Sequence, residues 1–206
     1  MKKGQISLEF MFLFMIFVLM LVYSLKLTAF TSQSSQDILA TQIGIEAKGL
    51  ASMISNGISQ VYAQGPGAKV TVYYRAAYLR DVQYVARAFN LDDPIIAISY
   101  SNGTYVMLLN GTGASFINFS GPYKNIFWAN SIYRKDFLTN TTVFLGSSVP
   151  NVNFNGTIIN LACLKISPSS LPKILKIVVE WDPNTGDVWI YNATSGEILI
   201  KINPGG

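Results

Sequence analysis

The chain has 206 residues, enough for one domain with a sizeable core once an N-terminal apolar segment is set aside. It contains no histidine, which excludes a Ser-His-Asp triad, a Cys-His pair and any histidine metal site. A net charge of +4 with no long basic run excludes a nucleic-acid footprint, and with only 13% charged residues the surface must be wetted by Asn, Ser, Thr and Gly or by groups attached to them.

Met1–Gly4 is a short basic leader. Behind it, Ile6 to Leu25 counts about 20 residues, or roughly 30 Å of helix, enough to span a bilayer. Lys26 ends the run. Lys2 and Lys3 before the span, with little charge just after it, place the leader in the cytoplasm and the rest outside. Glu9 lies inside the span, where an ionised carboxylate costs about 2.5–3.5 kcal/mol. A charge tolerated there calls for a partner. Cleavage after Gly4 would give Gln5 a new α-ammonium, and that amine in one subunit would neutralise Glu9 of a neighbour as helices pack.

The string Gly4-Gln5-Ile6-Ser7-Leu8-Glu9-Phe10 resembles the class III signal peptide of archaeal type IV pilins, with its Q-x-S-x-E-F pattern. The resemblance covers the leader, the motif and the apolar run. It implies cleavage by a prepilin peptidase between Gly4 and Gln5. It also implies that Glu9, followed by Phe10, is the signature acid for assembly, and that mature helices form a filament core. Its partners would be further copies of the same chain and a pilus assembly platform, with membrane insertion preceding polymerisation. Gln5 favours a pilin over the related archaellins. An ordinary secretory signal peptide and a plain signal-anchor are the other readings of this segment. Against the former, Leu27-Thr28-Ala29 is a poor cleavage site.

Further along, Leu39, Ile43, Ala47, Leu50, Ile54, Ile58 and Val61 recur at spacings of 4, 4, 3, 4, 4 and 3. That eleven-residue period keeps one apolar stripe aligned on a nearly straight helix. Ile38, Ile45 and Met53 widen the stripe, so the helix needs a head domain or sister helices beside it. Gln33–Gln36 is a polar soft point, and Gly44, Gly49 and Gly57 permit close approach. Gly65-Pro66-Gly67 ends the helix. Residues 5–64 are thus expected as one helix of roughly 90 Å, with the span at 6–25 and an amphipathic filament-core half after it.

From residue 68 to 206 the period shortens to two, predicting a β-rich head. Lys69–Tyr74 reads as a strand. Ala76–Asn90 fits helix or strand, with strand after a turn preferred. Ile95–Tyr100 and Thr104–Leu109 form a hairpin through Ser101-Asn102-Gly103, where Asn-Gly supplies positive φ. Residues 111–136 are irregular and rich in aromatics, Phe116, Phe119, Tyr123, Phe127, Trp128 and Tyr133, which read as core, loop packing or an adhesive patch. Thr141–Leu145 and Thr157–Ile166 are further strands, and Cys163 in the latter is a small buried hydrophobe. Leu175–Trp181, Asp187–Tyr191 and Glu197–Ile202 close the chain as a meander. The fold class is therefore α+β: a long N-terminal α-helix followed by an antiparallel β-sandwich or β-sheet head.

Asn-x-Ser/Thr occurs at Asn102, Asn110, Asn118, Asn140, Asn155 and Asn192, against about two expected by chance. N-linked sugars there would supply the hydration that the sparse charges do not. Asn-Gly-Thr at three of these sites is also good turn chemistry. Asp182–Asp187 has alternating oxygen ligands but reads as a hairpin turn rather than a calcium loop, and Asp92-Asp93-Pro94 as a turn. No nucleophile-base pair, metal site or cofactor is expected. The sequence reads as a structural subunit of an extracellular filament, not an enzyme. The alternative is a minor pilin or pilin-like anchored protein that binds sugars or other substrates, which a large aromatic-lined cleft would favour.

Overall fold

The structure, a computed structural model, describes residues 3–112, 115–121 and 124–205, with side chains described for 8–26 and from 35 onward. It divides into two units, residues 1–38 and 39–206. A single helix, α1, runs Lys3–Gln64 without a proline. It stops at Gly65, whose φ of 94° is the left-handed conformation that closes a helix, and the Gly65 N–H donates to the Val61 carbonyl at 3.2 Å.

In the first unit, Leu8–Lys26 is an apolar stretch long enough to cross a membrane, and its large side chains are exposed. The side chains of Gln33 and Ser34, half of the expected soft point, lie outside the described residues.

The second unit begins at Leu39 on the last seven turns of α1. Among the described residues, eleven strands, one short α-helix and a 3-10 turn at Pro168–Ser170 follow: β1 (Lys69–Arg75), α2 (Val82–Phe89), β2 (Pro94–Tyr100), β3 (Gly103–Asn110), β4 (Ser115–Phe116), β5 (Ile126–Asn130), β6 (Ser148–Phe154), β7 (Thr157–Ala162), β8 (Leu164–Ile166), β9 (Ile174–Trp181), β10 (Val188–Asn192) and β11 (Glu197–Ile202). They form three sheets, ordered β1-β9-β11-β10, β5-β3-β2-β8 and β4-β6-β7. Antiparallel pairs predominate, with β9–β11 and β4–β6 parallel.

The near-continuous apolar runs of β2 and β3 are explained by burial on both faces. Ile96, Ile98, Val106 and Leu108 face the larger core with the α1 stripe and the first sheet. Ala97, Met107 and Leu109 face a smaller core with Val152, Leu161 and Cys163. Ile43, Ala47, Leu50, Ile54, Ile58 and Val61 are fully buried, so the stripe is taken up by the chain's own head. Ile38 and Ile45 remain exposed. Gly44 and Gly57 bring the helix close to the sheets rather than to another helix: a Cβ would lie 3.0 Å from the Phe127 ring and 3.2 Å from Val179. Ser55, fully buried, donates to the Ala129 carbonyl at 2.7 Å and accepts the Thr104 N–H at 3.0 Å.

Several expectations are corrected. Ala76–Asn90 carries a helix, not a strand. Asp81 caps it by accepting from Gln83 N–H (2.9 Å) and Tyr84 N–H (3.1 Å), and Val85, Ala88 and Phe89 are buried at helical spacing. Thr141–Leu145 is a run of turns. There the Asn140 carboxamide accepts the Thr142 N–H and hydroxyl, and Leu145 adopts φ 52°, which no strand permits. Thr157–Ile166 is two strands in different sheets, with Cys163 at the switch between them. The closing strands are not a meander: β11 inserts between β9 and β10. At the β2–β3 turn only Asn102 has positive φ. Gly103 is required instead by proximity, since a Cβ there would sit 2.3 Å from the Ala129 carbonyl oxygen.

Candidate assembly segment and head surface

The processing residues Gly4 and Gln5 lie on the backbone of α1, and their side chains fall outside the described residues. Glu9 and Phe10 are both exposed, five and six residues beyond Gly4 on the same helix. The positions from Leu8 to Leu25 form an apolar surface with Glu9 as its acidic residue. Such a segment has two stable environments, lipid or other apolar helices, and in either one a carboxylate is retained only with a partner.

Among the sequons, Asn102, Asn118, Asn140, Asn155 and Asn192 are exposed and Asn110 is half-buried. Asn102 and Asn155 take left-handed φ values of 52° and 50° at hairpin tips. Asn110 accepts the Asp93 N–H at 3.0 Å, and Asn192 accepts the Thr194 N–H at 3.0 Å. The hydroxyl partner of Asn102, Thr104, is fully buried against Ser55, whereas Thr112, Ser120, Thr142, Thr157 and Thr194 are exposed. The folded surface therefore presents five of the six sequons with an accessible hydroxyl. Tyr123, one of the aromatics noted in the sequence, lies outside the described residues.

The acidic loop Asp182–Asp187 is occupied by internal bonds. Asp182 accepts the Asn184 N–H and pairs with Lys201 at 3.1 Å, and together these hold its carboxyl below the usual range. Asp187 accepts the Tyr133 hydroxyl at 2.8 Å and the Asn203 N–H at 3.1 Å. Burial and this carboxylate push the Tyr133 phenol upward. Among the described residues no three His, Cys, Asp or Glu side chains converge.

Two features escaped sequence reasoning because their parts are remote in the chain. Glu46 on α1 accepts the N–H groups of Ala77, Tyr78 and Leu79 at 2.8–3.1 Å, fixing the loop after β1. Along β5, the outer strand of its sheet, runs a cleft of about 450 Å³ walled by Tyr105, Phe119, Phe127 and Trp128, with Lys48 and Lys124 at its sides. Lys48 Nζ donates to the Trp128 carbonyl. The aromatic excess of residues 111–136 was the one signal pointing to this place.

The family model described as class III signal peptide matches residues 2–25. No curated protein and no solved structure matches the chain.

Proposed function

We propose that this chain is the structural subunit of an extracellular archaeal type IV pilus-like filament. The carrying observation is the class III signal peptide match at residues 2–25, laid over an exposed apolar helix at Leu8–Lys26. A pilin-like precursor with such an N-terminus is a substrate for a prepilin peptidase, which would cut between Gly4 and Gln5. Before cutting, the apolar segment sits in the membrane with the head outside. After cutting, the segments of many copies pack against one another through an assembly platform, each Glu9 neutralised by the new amine of Gln5 in a neighbour.

The heads would then tile the outside of the fibre, where they mediate adhesion and carry N-linked sugars at the exposed sequons. The role is structural rather than enzymatic, in keeping with a chain that contains no histidine. The test is electron microscopy of purified surface filaments with the N-terminus read by mass spectrometry. The expected fibres contain the chain starting at Gln5, with added mass from glycans. Gly4→Val should block processing and abolish fibres, and Glu9→Ala should impair assembly more than processing. Fibres in wild-type yield from Gly4→Val would refute the mechanism.

A further inference from the structure

The cleft along β5 has a chemistry that filament assembly does not use. Trp128 stands opposite Tyr105 in the β3–β5 register, with ring centroids 6.1 Å apart. Tyr105 meets Phe154 edge-on at 5.8 Å, and Phe154 meets Phe119 edge-on at 5.5 Å. Four rings thus form a continuous row. Its ends, Trp128 and Phe119, stay 42% and 43% exposed, while Tyr105 and Phe154 are partly buried against the smaller core. Rings held by ring neighbours lose little entropy on binding, so the exposed faces are preorganised.

Charge fixes the sign of the ligand. Lys48 is anchored by one hydrogen bond to the Trp128 carbonyl and keeps two further N–H donors, and Lys124 brings a second ammonium. Among the described residues no carboxylate lines the cleft; Asp136 acts on the Tyr105 phenol from outside the lining. A volume of about 450 Å³ lies in the range of small-ligand sites. Flat apolar faces joined to two point charges suit a pyranose ring that carries a carboxylate. A nucleic acid would want a basic track along several phosphates, and two lysines do not make one.

We infer that this cleft binds an acidic saccharide, with the sugar face on Trp128 and Phe119 and its carboxylate between Lys48 and Lys124. The inference concerns residues 39–206 and stands whether or not the chain polymerises. The test uses the full chain in zwitterionic lipid nanodiscs, titrated with trigalacturonate, with neutral maltotriose and with a single-stranded oligonucleotide. Tryptophan fluorescence and equilibrium dialysis report binding, and dialysis still reports it in Trp128→Phe. Saturable, salt-weakened binding of trigalacturonate is expected, with maltotriose roughly tenfold weaker or worse and Lys124→Gln weakening the acidic sugar by about the same factor. Phe119→Leu should weaken both sugars, and Lys124→Gln should leave the thermal midpoint unchanged. Absence of saturation, equal affinity for maltotriose, indifference to Lys124→Gln, or tighter binding of the oligonucleotide would each overturn the inference.

Discussion

Glu46 shows how much one side chain on the long helix does for the head. Its two oxygens collect the N–H groups of three consecutive residues, Ala77, Tyr78 and Leu79, and the Tyr74 hydroxyl donates to the Glu46 backbone carbonyl at 2.7 Å. Charge-assisted bonds of this kind contribute more than neutral ones. Glu46→Ala should therefore lower unfolding stability by about 1.5–3 kcal/mol, with Glu46→Gln intermediate because an acceptor oxygen remains. Chemical denaturation of both variants checks the order, and equal stability of all three proteins would remove Glu46 from this role. Titration is the other residue-scale lever. Burial pushes both the Cys163 thiol and the Tyr100 phenol up to about 12, from ordinary values of 9.0 and 10.0. Tyr74 is raised as well, by burial and then by the Glu46 charge. In each case the folded state holds the proton more tightly than the unfolded chain. Their contribution is thus complete below pH 9 and is lost as pH rises towards 12, by up to about 1.4 kcal/mol per pH unit for each proton. Urea midpoints measured from pH 8 to 11 should fall steadily above 9, and Cys163 should resist alkylation at pH 8 until urea unfolds the chain.

At the scale of elements, α2 depends on its first residue. Asp81→Ala removes the acceptor for two N–H groups and should cost about 1 kcal/mol, while Asp81→Asn should retain most of the cap. Unchanged helical signal and an unchanged midpoint in Asp81→Ala would show the helix to be held by packing alone. The same element marks the limit of what periodicity reveals. Tyr78, Val82, Val85 and Phe89 have helical spacing, yet the alternation around Asp81–Phe89 also fits a strand, and only the cap geometry decides. The hairpin of β2 and β3 was legible because its signal is local: two β-branched runs and a three-residue Asn-Gly turn. Leu50, Ile54 and Ile58 were legible as one buried stripe, although the sequence left open whether head or sister helices would cover it. The turns at 141–146 were not legible, since Thr-Val-Phe-Leu has strand composition and the Asn140 side chain overrides it. Nor was the placement of β11 beside β9, because Ile198, Ile200 and Ile202 would satisfy an antiparallel or a parallel neighbour equally well. Such pairing is decided by the whole core.

For the whole molecule, the division of labour between the two units is the point most open to experiment. Among the described residues, the buried set begins at Ile43, with Leu39 and Ala40 packed at its margin, and both cores close on residues from 39 onward. The large apolar side chains from Leu8 to Val22 are between 41% and 72% exposed. A chain beginning at Leu39 should therefore fold alone. It should be soluble without detergent, sediment as a monomer, and unfold within a few degrees of the full chain, since both cores are built from residues 39 onward. It should also be unable to enter a filament, because the surface that would pack against sister copies has been removed while every contact inside the head remains. Folding and assembly are thereby separable in one experiment. A truncated chain that precipitates would show that the first unit is needed for the core. One that still forms fibres would show that the heads polymerise by themselves, and that the Leu8–Lys26 segment serves only as an anchor.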